Sequence, residues 1–151
     1  MELAEKLIPA HVTLLRGADK TAVIDELLDV LYDSGVLADR ATARHDVLAR
    51  EQYLSTGMEE GLAVPHAKTD AVSELVVAFG LHRDGIDFES MDGKPARFIF
   101  LVLSPRSTSG PHIRALAQIT RALKDASVRQ ALLEADTAEN IASIIIRGSG
   151  A

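Results

Sequence analysis

The sequence predicts an α/β protein: a three-layer α/β/α sandwich in which helices cover both faces of a mixed central β-sheet. Two continuous apolar runs, within residues 74–81 and 97–103, are rich in Val, Ile and Phe. Runs of this length are typical of central strands that are buried on both faces. Segments with helical periodicity precede the first run and follow the second. Helices are therefore available for both faces of the sheet.

The segment before the first run contains two predicted helices. Residues 20–32 place their apolar side chains on one helical face, with Asp19 as the N-cap and Gly35 as the stop signal. Residues 40–54 form a second helix with weaker periodicity. Helices are therefore predicted before the central strands.

Short strands and turns are predicted around the two central runs. A loop feeds a brief strand at residues 62–64, which stops at Pro65 because proline cannot donate to a strand ladder. Between the central runs, residues 83–85 and 91–93 carry turn signals ending in glycine. Residues 86–88 are predicted to form a short extra strand between these turns.

Helical periodicity returns after the second central run. Ser109 is the predicted cap of the next helix, and Pro111 suits its first turn because the proline φ angle is already helical. Residues 128–135 and 138–146 are two further short helices, with Thr137 as the cap of the last one. Helices are therefore predicted after the central strands as well.

The length of 151 residues fits one domain with a substantial core. We expect this domain to span residues 1–147. Residues 148–151 are expected to form a flexible tail, because they are Gly, Ser, Gly and Ala.

The composition excludes several functions. The net charge is −6 and the sixteen basic residues are scattered, so no nucleic-acid surface is expected. The chain has no cysteine, which excludes disulfides, thiol nucleophiles and cysteine-ligated metals. No apolar run approaches the roughly 20 residues that span a bilayer, and the N-terminus lacks a signal-peptide pattern. We expect a cytoplasmic protein with no direct membrane insertion.

Two of the five histidines are candidates for chemistry. His66 follows a short apolar run and Pro65, at a predicted strand end where sites gather in open α/β sheets. His112 lies just inside a predicted helix N-terminus, which favours anions. Each has a structural alternative, a strand-capping histidine and a histidine in a capping cluster. The other three histidines, at positions 11, 45 and 82, have ordinary polar surroundings and are expected to be structural.

Motifs of other enzyme classes are missing. The sequence contains no HExxH, GxSxG, P-loop or GxGxxG element. A zinc site built from His66, His112 and a carboxylate is conceivable in composition, which leaves a metal-dependent hydrolase as a remote alternative. Arg50 can hold a phosphate through its planar fork, although an exposed ion pair would explain an Arg-Glu dipeptide as well.

Three spaced motifs resemble a known family. They are Arg50-Glu51, then Ser55-Thr56-Gly57, then residues 61–66, GLAVPH. Their order resembles the RE, STG and GxAxPH signature of the fructose/mannitol-type IIA domains of the bacterial phosphotransferase system, which include the nitrogen-regulatory IIA proteins. Downstream segments of the same family are also similar, so the resemblance covers nearly the whole chain.

The resemblance implies a site and a reaction. His66 would be the phosphorylated residue, and His112 and Arg50 would help to hold the phosphoryl group. Thr56 and Ser55 would make supporting phosphate contacts. No cofactor and no metal ion is implied. We expect phosphorylation at Nε2 of His66, with Nδ1–H held by an acceptor.

The implied partners are those of a phosphocarrier. Phospho-HPr would donate the group, and a IIB domain would accept it before a sugar enters through a membrane IIC component. In this family the usual IIB domain carries its phosphoryl group on cysteine, so this cysteine-free chain cannot be that domain. Two alternatives are a nitrogen-regulatory IIA protein, which controls its partners by its phosphorylation state, and a degenerate module that only binds a partner.

One position departs from the pattern. Many members carry glycine where this chain has Glu59. If that position needs a positive φ, Glu59 would strain the loop by about 1 kcal/mol. The carboxylate would also repel a phosphoryl group unless it points to solvent.

Overall fold

The computed structural model of the chain describes residues 2–150. The described residues form six helices: α1 (Glu2–Lys6), α2 (Lys20–Asp33), α3 (Arg40–Tyr53), α4 (Gly110–Lys124), α5 (Ala126–Glu134) and α6 (Ala138–Gly148). They also form five strands: β1 (Val12–Leu14), β2 (Leu62–Ala63), β3 (His66–Lys68), β4 (Val76–Ile86) and β5 (Ala96–Ser104). A short 3₁₀ turn at Pro9–His11 precedes β1.

The five strands form one mixed sheet. Strand β4 pairs with β5 as an antiparallel hairpin, and β1 lies parallel to β4 on the other side. Strands β2 and β3 both run parallel to β5, one after the other along its free side. The sheet order is β1-β4-β5-β2, with β3 also on β5.

The central runs are buried on both faces, as predicted. In β5, Phe98, Phe100 and Val102 belong to one apolar cluster, whereas the alternate residues Ile99, Leu101 and Leu103 belong to another. The first cluster includes side chains of α1, α4, α5 and α6, and the second includes those of α2 and α3. The sheet therefore lies between two helical layers, which confirms the three-layer α/β/α prediction.

The predicted turn at residues 83–85 is wrong. Strand β4 continues through this segment to Ile86, which pairs with Ala96 of β5. The register shifts between Leu81 and Ile86, and Gly85 has a φ of 81°. Gly85 thus lies at an irregularity within a long hairpin. The separate extra strand predicted at residues 86–88 is wrong, since only Ile86 lies in a strand and it is the last residue of β4. The turn at residues 91–93 is confirmed, with Gly93 at a φ of 74°.

Helix caps follow the sequence signals with one exception. The side chains of Asp19 and Thr137 accept the backbone N–H of Ala22 and Asn140, respectively. Ser109 is the N-cap of α4, but its side chain makes no capping bond. Its hydroxyl instead accepts from Nζ of Lys68 at 2.6 Å, which ties the start of α4 to β3.

The last helix extends past the domain boundary that was predicted from the sequence. Helix α6 includes Gly148, and Ser149 caps it with an almost fully buried side chain. The expected boundary after Arg147 therefore falls inside the last helix. None of the helices within residues 2–150 is long and apolar enough to cross a membrane.

Candidate functional site

His66 stands where one side of β5 changes its partner strand. Strand β2 pairs with the start of β5, and the chain then passes through Val64 and Pro65 into β3. Pro65 has no N–H to donate, but its carbonyl accepts from the backbone N–H of Val102 at 3.1 Å. His66 then pairs with Val102 as the first residue of β3. The imidazole is half-buried and held by the sheet rather than by a free loop.

A backbone carbonyl fixes the tautomer of His66. Nδ1 lies 2.7 Å from the carbonyl oxygen of Val64. A carbonyl can only accept, so a neutral ring carries its proton on Nδ1. Nε2 then holds a lone pair and has no hydrogen-bond partner within the described part of the chain. This geometry supplies the Nδ1–H acceptor that the sequence predicted.

His112 lies beside His66, on the first turn of α4. Its side chain is buried, and Nδ1 lies 2.6 Å from Oγ of Ser104, the last residue of β5. The centroids of the two imidazole rings are 5.5 Å apart, and the ring planes meet at 65°. The end of β5 and the start of α4 thus bring the second histidine to the first.

Arg50 completes the group from the other helical layer. It lies on the last turn of α3, where its Nη1 donates to the carbonyl of Leu54 at 2.8 Å. Arg50, His66 and His112 all line one open cavity of about 490 Å³. The cavity wall also includes Asp46, Lys68 and Arg106. The structure therefore brings together three of the five predicted site residues.

Ser55 and Thr56 are not in the wall of this cavity. Oγ of Ser55 donates to the carbonyl of Phe88 at 2.5 Å. Oγ1 of Thr56 donates to a carboxylate oxygen of Glu51 at 2.5 Å, and its backbone N–H donates to the other oxygen at 2.8 Å. Both hydroxyls therefore hold the loop in place.

Sequence reasoning missed the role of Glu51. Its carboxylate is buried and also pairs with Nζ of Lys20 at 3.0 Å. Because Glu51 holds Thr56, it also fixes the Thr56 carbonyl, which accepts from the backbone N–H of Val64 at 3.1 Å. Val64 in turn holds the His66 ring. A buried carboxylate thus supports the His66 ring through a chain of hydrogen bonds. The only sequence signal for this role was the place of Glu51 beside Arg50.

The strained position in the loop is Glu60, not Glu59. Glu60 has a φ of 58° and Gly61 has a φ of 81°, whereas Glu59 has no positive φ. The backbone N–H of Glu60 donates to a carboxylate oxygen of Asp92 at 3.0 Å, which supports this left-handed residue. The strain considered at Glu59 therefore belongs to its neighbour. Glu59 is exposed and is not in the wall of the His66 cavity.

The environment keeps both imidazoles neutral near pH 7. Burial lowers the pKa of His66 below its usual value, and the positive charge of Arg50 lowers it further, while the Val64 carbonyl and Glu51 oppose this. Burial, then His66 and Lys68, lower the pKa of His112 to about 4. A neutral His66 has a lone pair for nucleophilic attack, so the site is suited to accept an electrophile at Nε2.

No cluster of three or more His, Asp or Glu side chains within residues 2–150 is arranged to hold a metal ion. The two histidines approach each other without a third ligand, and three cationic side chains share their cavity. This arrangement suits an anion such as a phosphoryl group.

Comparisons with known proteins identify the family. Residues 7–148 match the family described as the phosphoenolpyruvate-dependent sugar phosphotransferase system, EIIA 2. The chain belongs to this family. Members of the EIIA 2 family are phosphotransferases that pass a phosphoryl group through a histidine.

The relatives of this EIIA 2 domain are of different lengths. The fructose-specific EIIA component of Haloferax volcanii is 40% identical over 128 residues, which cover 85% of this chain and 83% of that protein. The fructose-specific EIIABC component of Bacillus subtilis is 38% identical over 146 residues, which cover 96% of this chain and 23% of that protein. The chain therefore spans about a quarter of the longer relative.

A solved structure has the same fold. The nitrogen regulatory protein IIA-Ntr of Neisseria meningitidis superposes with a TM-score of 0.87 at 28% identity, over 96% of this EIIA 2 domain and 99% of that protein. The family and the fold predicted from the sequence are thus confirmed.

Proposed function

We propose that this chain is a cytoplasmic phosphocarrier that accepts a phosphoryl group from phospho-HPr on Nε2 of His66 and passes it to a IIB domain for sugar uptake. The free Nε2 of a neutral His66, in a cavity shared with Arg50 and His112, is the observation that carries the proposal. The longer Bacillus subtilis relative is an EIIABC component, which supports a IIB acceptor and an indirect association with a membrane IIC component. The phosphocarrier domain would extend to the end of α6, beyond residue 147.

In the proposed phosphoryl transfer, the two histidine rings account for every bond, electron pair and proton, so the step needs no cofactor and no metal ion. The Nε2 lone pair attacks phosphorus as the nitrogen–phosphorus bond of the donor phosphohistidine breaks. The electron pair of that bond returns to the donor ring, which leaves as neutral imidazole because its second nitrogen keeps a proton. The phosphorylated His66 ring retains Nδ1–H and carries positive charge, which the Val64 carbonyl stabilises at 2.7 Å. In the second transfer a cysteine thiolate of the IIB domain attacks phosphorus as the nitrogen–phosphorus bond on His66 breaks. The electron pair of that bond returns to the His66 ring, which keeps Nδ1–H and becomes neutral again.

Arg50 and His112 supply the electrostatic part of the catalysis. Phosphoryl transfer places charge on the equatorial oxygens, and fixed donors in the cavity stabilise it. The Arg50 guanidinium can give a planar pair of N–H groups. When the Ser104 hydroxyl donates to Nδ1 of His112, the neutral ring carries its proton on Nε2 and can donate it to a phosphoryl oxygen.

Ser55 and Thr56 have a supporting role in this proposal. Their hydroxyls bind Phe88 and Glu51, respectively, rather than the cavity. We therefore assign them to the loop that holds Val64, and direct phosphate contact by either residue would require those hydrogen bonds to break.

The second candidate function is nitrogen regulation. The similarity to the IIA-Ntr structure, with a TM-score of 0.87, favours it. A regulatory protein would take up the same phosphoryl group but deliver none to a sugar-specific IIB domain. Sugar transport is preferred because the relative at 40% identity is a fructose-specific EIIA component.

Intact mass spectrometry tests the phosphocarrier. The chain is incubated with phosphoenolpyruvate, Enzyme I and HPr, and then with a fructose-type IIB domain. We expect one acid-labile phosphoryl group on the wild type and on His45→Ala, a control at an exposed histidine of α3, and none on His66→Ala. Loss of the group when IIB is added supports sugar transport, and its retention supports regulation. An unmodified wild type beside phosphorylated HPr would refute the proposal in favour of a binding module.

A further inference from the structure

Arg106 lines the His66 cavity and makes only long ion pairs there. It belongs to the segment between β5 and α4, and its side chain is 59% exposed. Its closest acidic atoms are Oδ2 of Asp46 at 3.6 Å and Oδ2 of Asp70 at 3.7 Å. Both distances are longer than a normal N–H···O hydrogen bond of about 2.7–3.2 Å. The guanidinium therefore has donors available for another anion.

Asp46, which faces Arg106 in this contact, has an oxygen without a hydrogen-bond donor among the described residues. This oxygen, Oδ2, is buried. Asp46 lies one helical turn before Arg50 on α3, and both residues line the cavity. A buried carboxylate oxygen without a donor is costly. Arg106 is thus placed where it relieves this cost only in part.

The charges of the cavity wall favour a dianion. Among the residues that line it, Arg50, Lys68 and Arg106 are cations and Asp46 is the carboxylate, while both histidines are neutral near pH 7. A phosphoryl group on histidine carries close to two negative charges at this pH, by analogy with other phosphate monoesters and amidates. Such a group would offset most of the positive charge of the cavity, to which the phosphorylated His66 ring adds one unit.

Two of the three cations already have other hydrogen bonds. Lys68 donates from Nζ to the carbonyl of Thr108 at 2.8 Å and to Oγ of Ser109 at 2.6 Å. Arg50 donates from Nη1 to the Leu54 carbonyl. Arg106 has ion pairs alone, so its exposed side chain can turn without breaking a hydrogen bond, although Asp46 then loses its partial compensation. It is the cation best placed to move onto an arriving group.

We propose that Arg106 is a second arginine that contacts the phosphoryl group on His66, and that it leaves Asp46 and Asp70 when the group arrives. The proposal rests on the phosphocarrier function and adds a residue that binds the phosphoryl oxygens of the same site. Asp46 then acts as the competing anion, which retains Arg106 in the unphosphorylated protein and favours departure of the group.

The test measures the phosphoryl-transfer equilibrium with HPr and the second pKa of the phosphoryl group by phosphorus NMR. We expect Arg106→Gln to shift the equilibrium toward phospho-HPr by about tenfold, as for the loss of one charge-assisted hydrogen bond, and to raise the phosphoryl pKa. Asp46→Asn should shift the equilibrium the other way. Arg114→Gln is the matched control, since it removes a charge from the same end of α4 outside the cavity wall.

The outcomes separate this proposal from the function on which it rests. If the wild type is phosphorylated on His66 and Arg106→Gln behaves as Arg114→Gln does in both measurements, Arg106 does not touch the group. If the wild type takes up no phosphoryl group, both proposals fail. A shift in the equilibrium without a change in the phosphoryl pKa would also overturn the direct contact.

Discussion

Two pairs of histidines in this protein differ in how many ring nitrogens have partners. His11 binds through Nδ1 to the carbonyl of Lys6 at 3.1 Å and through Nε2 to the hydroxyl of Ser34 at 3.0 Å. His82 binds through Nε2 to the carbonyl of Gly17 at 2.8 Å, and its Nδ1 accepts from the backbone N–H of Gly85 at 3.0 Å. Both rings are saturated by protein groups.

His66 and His112 each have one hydrogen-bonded ring nitrogen, Nδ1 in both cases. Their Nε2 atoms have no protein partner within residues 2–150, and both rings line the same cavity. A saturated histidine stabilises the fold, whereas a histidine that is oriented by one nitrogen keeps the other for chemistry. The number of satisfied ring nitrogens therefore separates His11 and His82 from the two histidines that we propose as functional. Burial does not separate them, since His11, His82 and His112 are all buried.

The largest expected effect is on transfer kinetics. His112→Ala should slow phosphoryl transfer by about 100-fold, because it removes a preorganised donor from the cavity, while the fold is retained. Rapid-quench transfer from phospho-HPr measures the rate, and circular dichroism measures the helical content. A loss of helical signal equal to that of an unfolded variant would place His112 with the structural pair instead.

His82→Ala tests a histidine whose two ring nitrogens are both hydrogen-bonded. It leaves the carbonyl of Gly17 and the N–H of Gly85 without their partners, so we expect the free energy of unfolding to fall by about 2–3 kcal/mol. The folded fraction should still accept a phosphoryl group at the wild-type level. Urea unfolding gives the stability, with the exposed His45→Ala as control. Wild-type stability together with slowed transfer would contradict the assignment.

The smallest effect is on the pH dependence of stability. The pKa of His112 is lowered to about 4, so between that value and the unfolded value of about 6.5 the unfolded chain binds more protons than the folded one. Stability should therefore rise with pH across this window, and fall by about 1–2 kcal/mol from pH 7 to pH 5 on account of His112. The lowered pKa of His66 acts in the same direction.

Urea unfolding at several pH values compares the wild type with His112→Ala. The variant should lose most of this slope. The exposed carboxylates contribute equally to both proteins, so they cancel in the difference. An identical slope in the two proteins would show that His112 titrates in the folded state as it does in the unfolded chain.

The sequence was sufficient for features that depend on local patterns. The alternate residues of β5 enter the two apolar clusters, so an uninterrupted apolar run identified a strand that is covered on both faces. The turn predicted at residues 83–85 failed because pairing with β5 at Ile86 and Ala96 outweighs local turn preference. Strand β1 has only three residues and depends on its pairing with β4, which a local pattern does not reveal.

The candidate site was predictable only in part, because some of its contacts depend on the tertiary fold rather than on local sequence patterns. His66, His112 and Arg50 belong to motifs with a recognisable order, and they line one cavity. The support by Glu51 depends on a loop that folds back over the end of α3 so that Thr56 reaches its carboxylate. The contact of Arg106 with Asp46 joins two segments that are distant in sequence. Such contacts arise from the tertiary fold and leave no periodicity in the sequence.

The acceptor that orients His66 is a main-chain carbonyl, that of Val64. Every amino acid at position 64 supplies this oxygen, so no missense mutation there deletes it. The choice of reactive nitrogen is thus inherited with the path of the backbone, whereas Arg50 and Arg106 can each be lost in a single codon change. A substitution at either arginine would therefore weaken the proposed site without changing which His66 nitrogen is free to react.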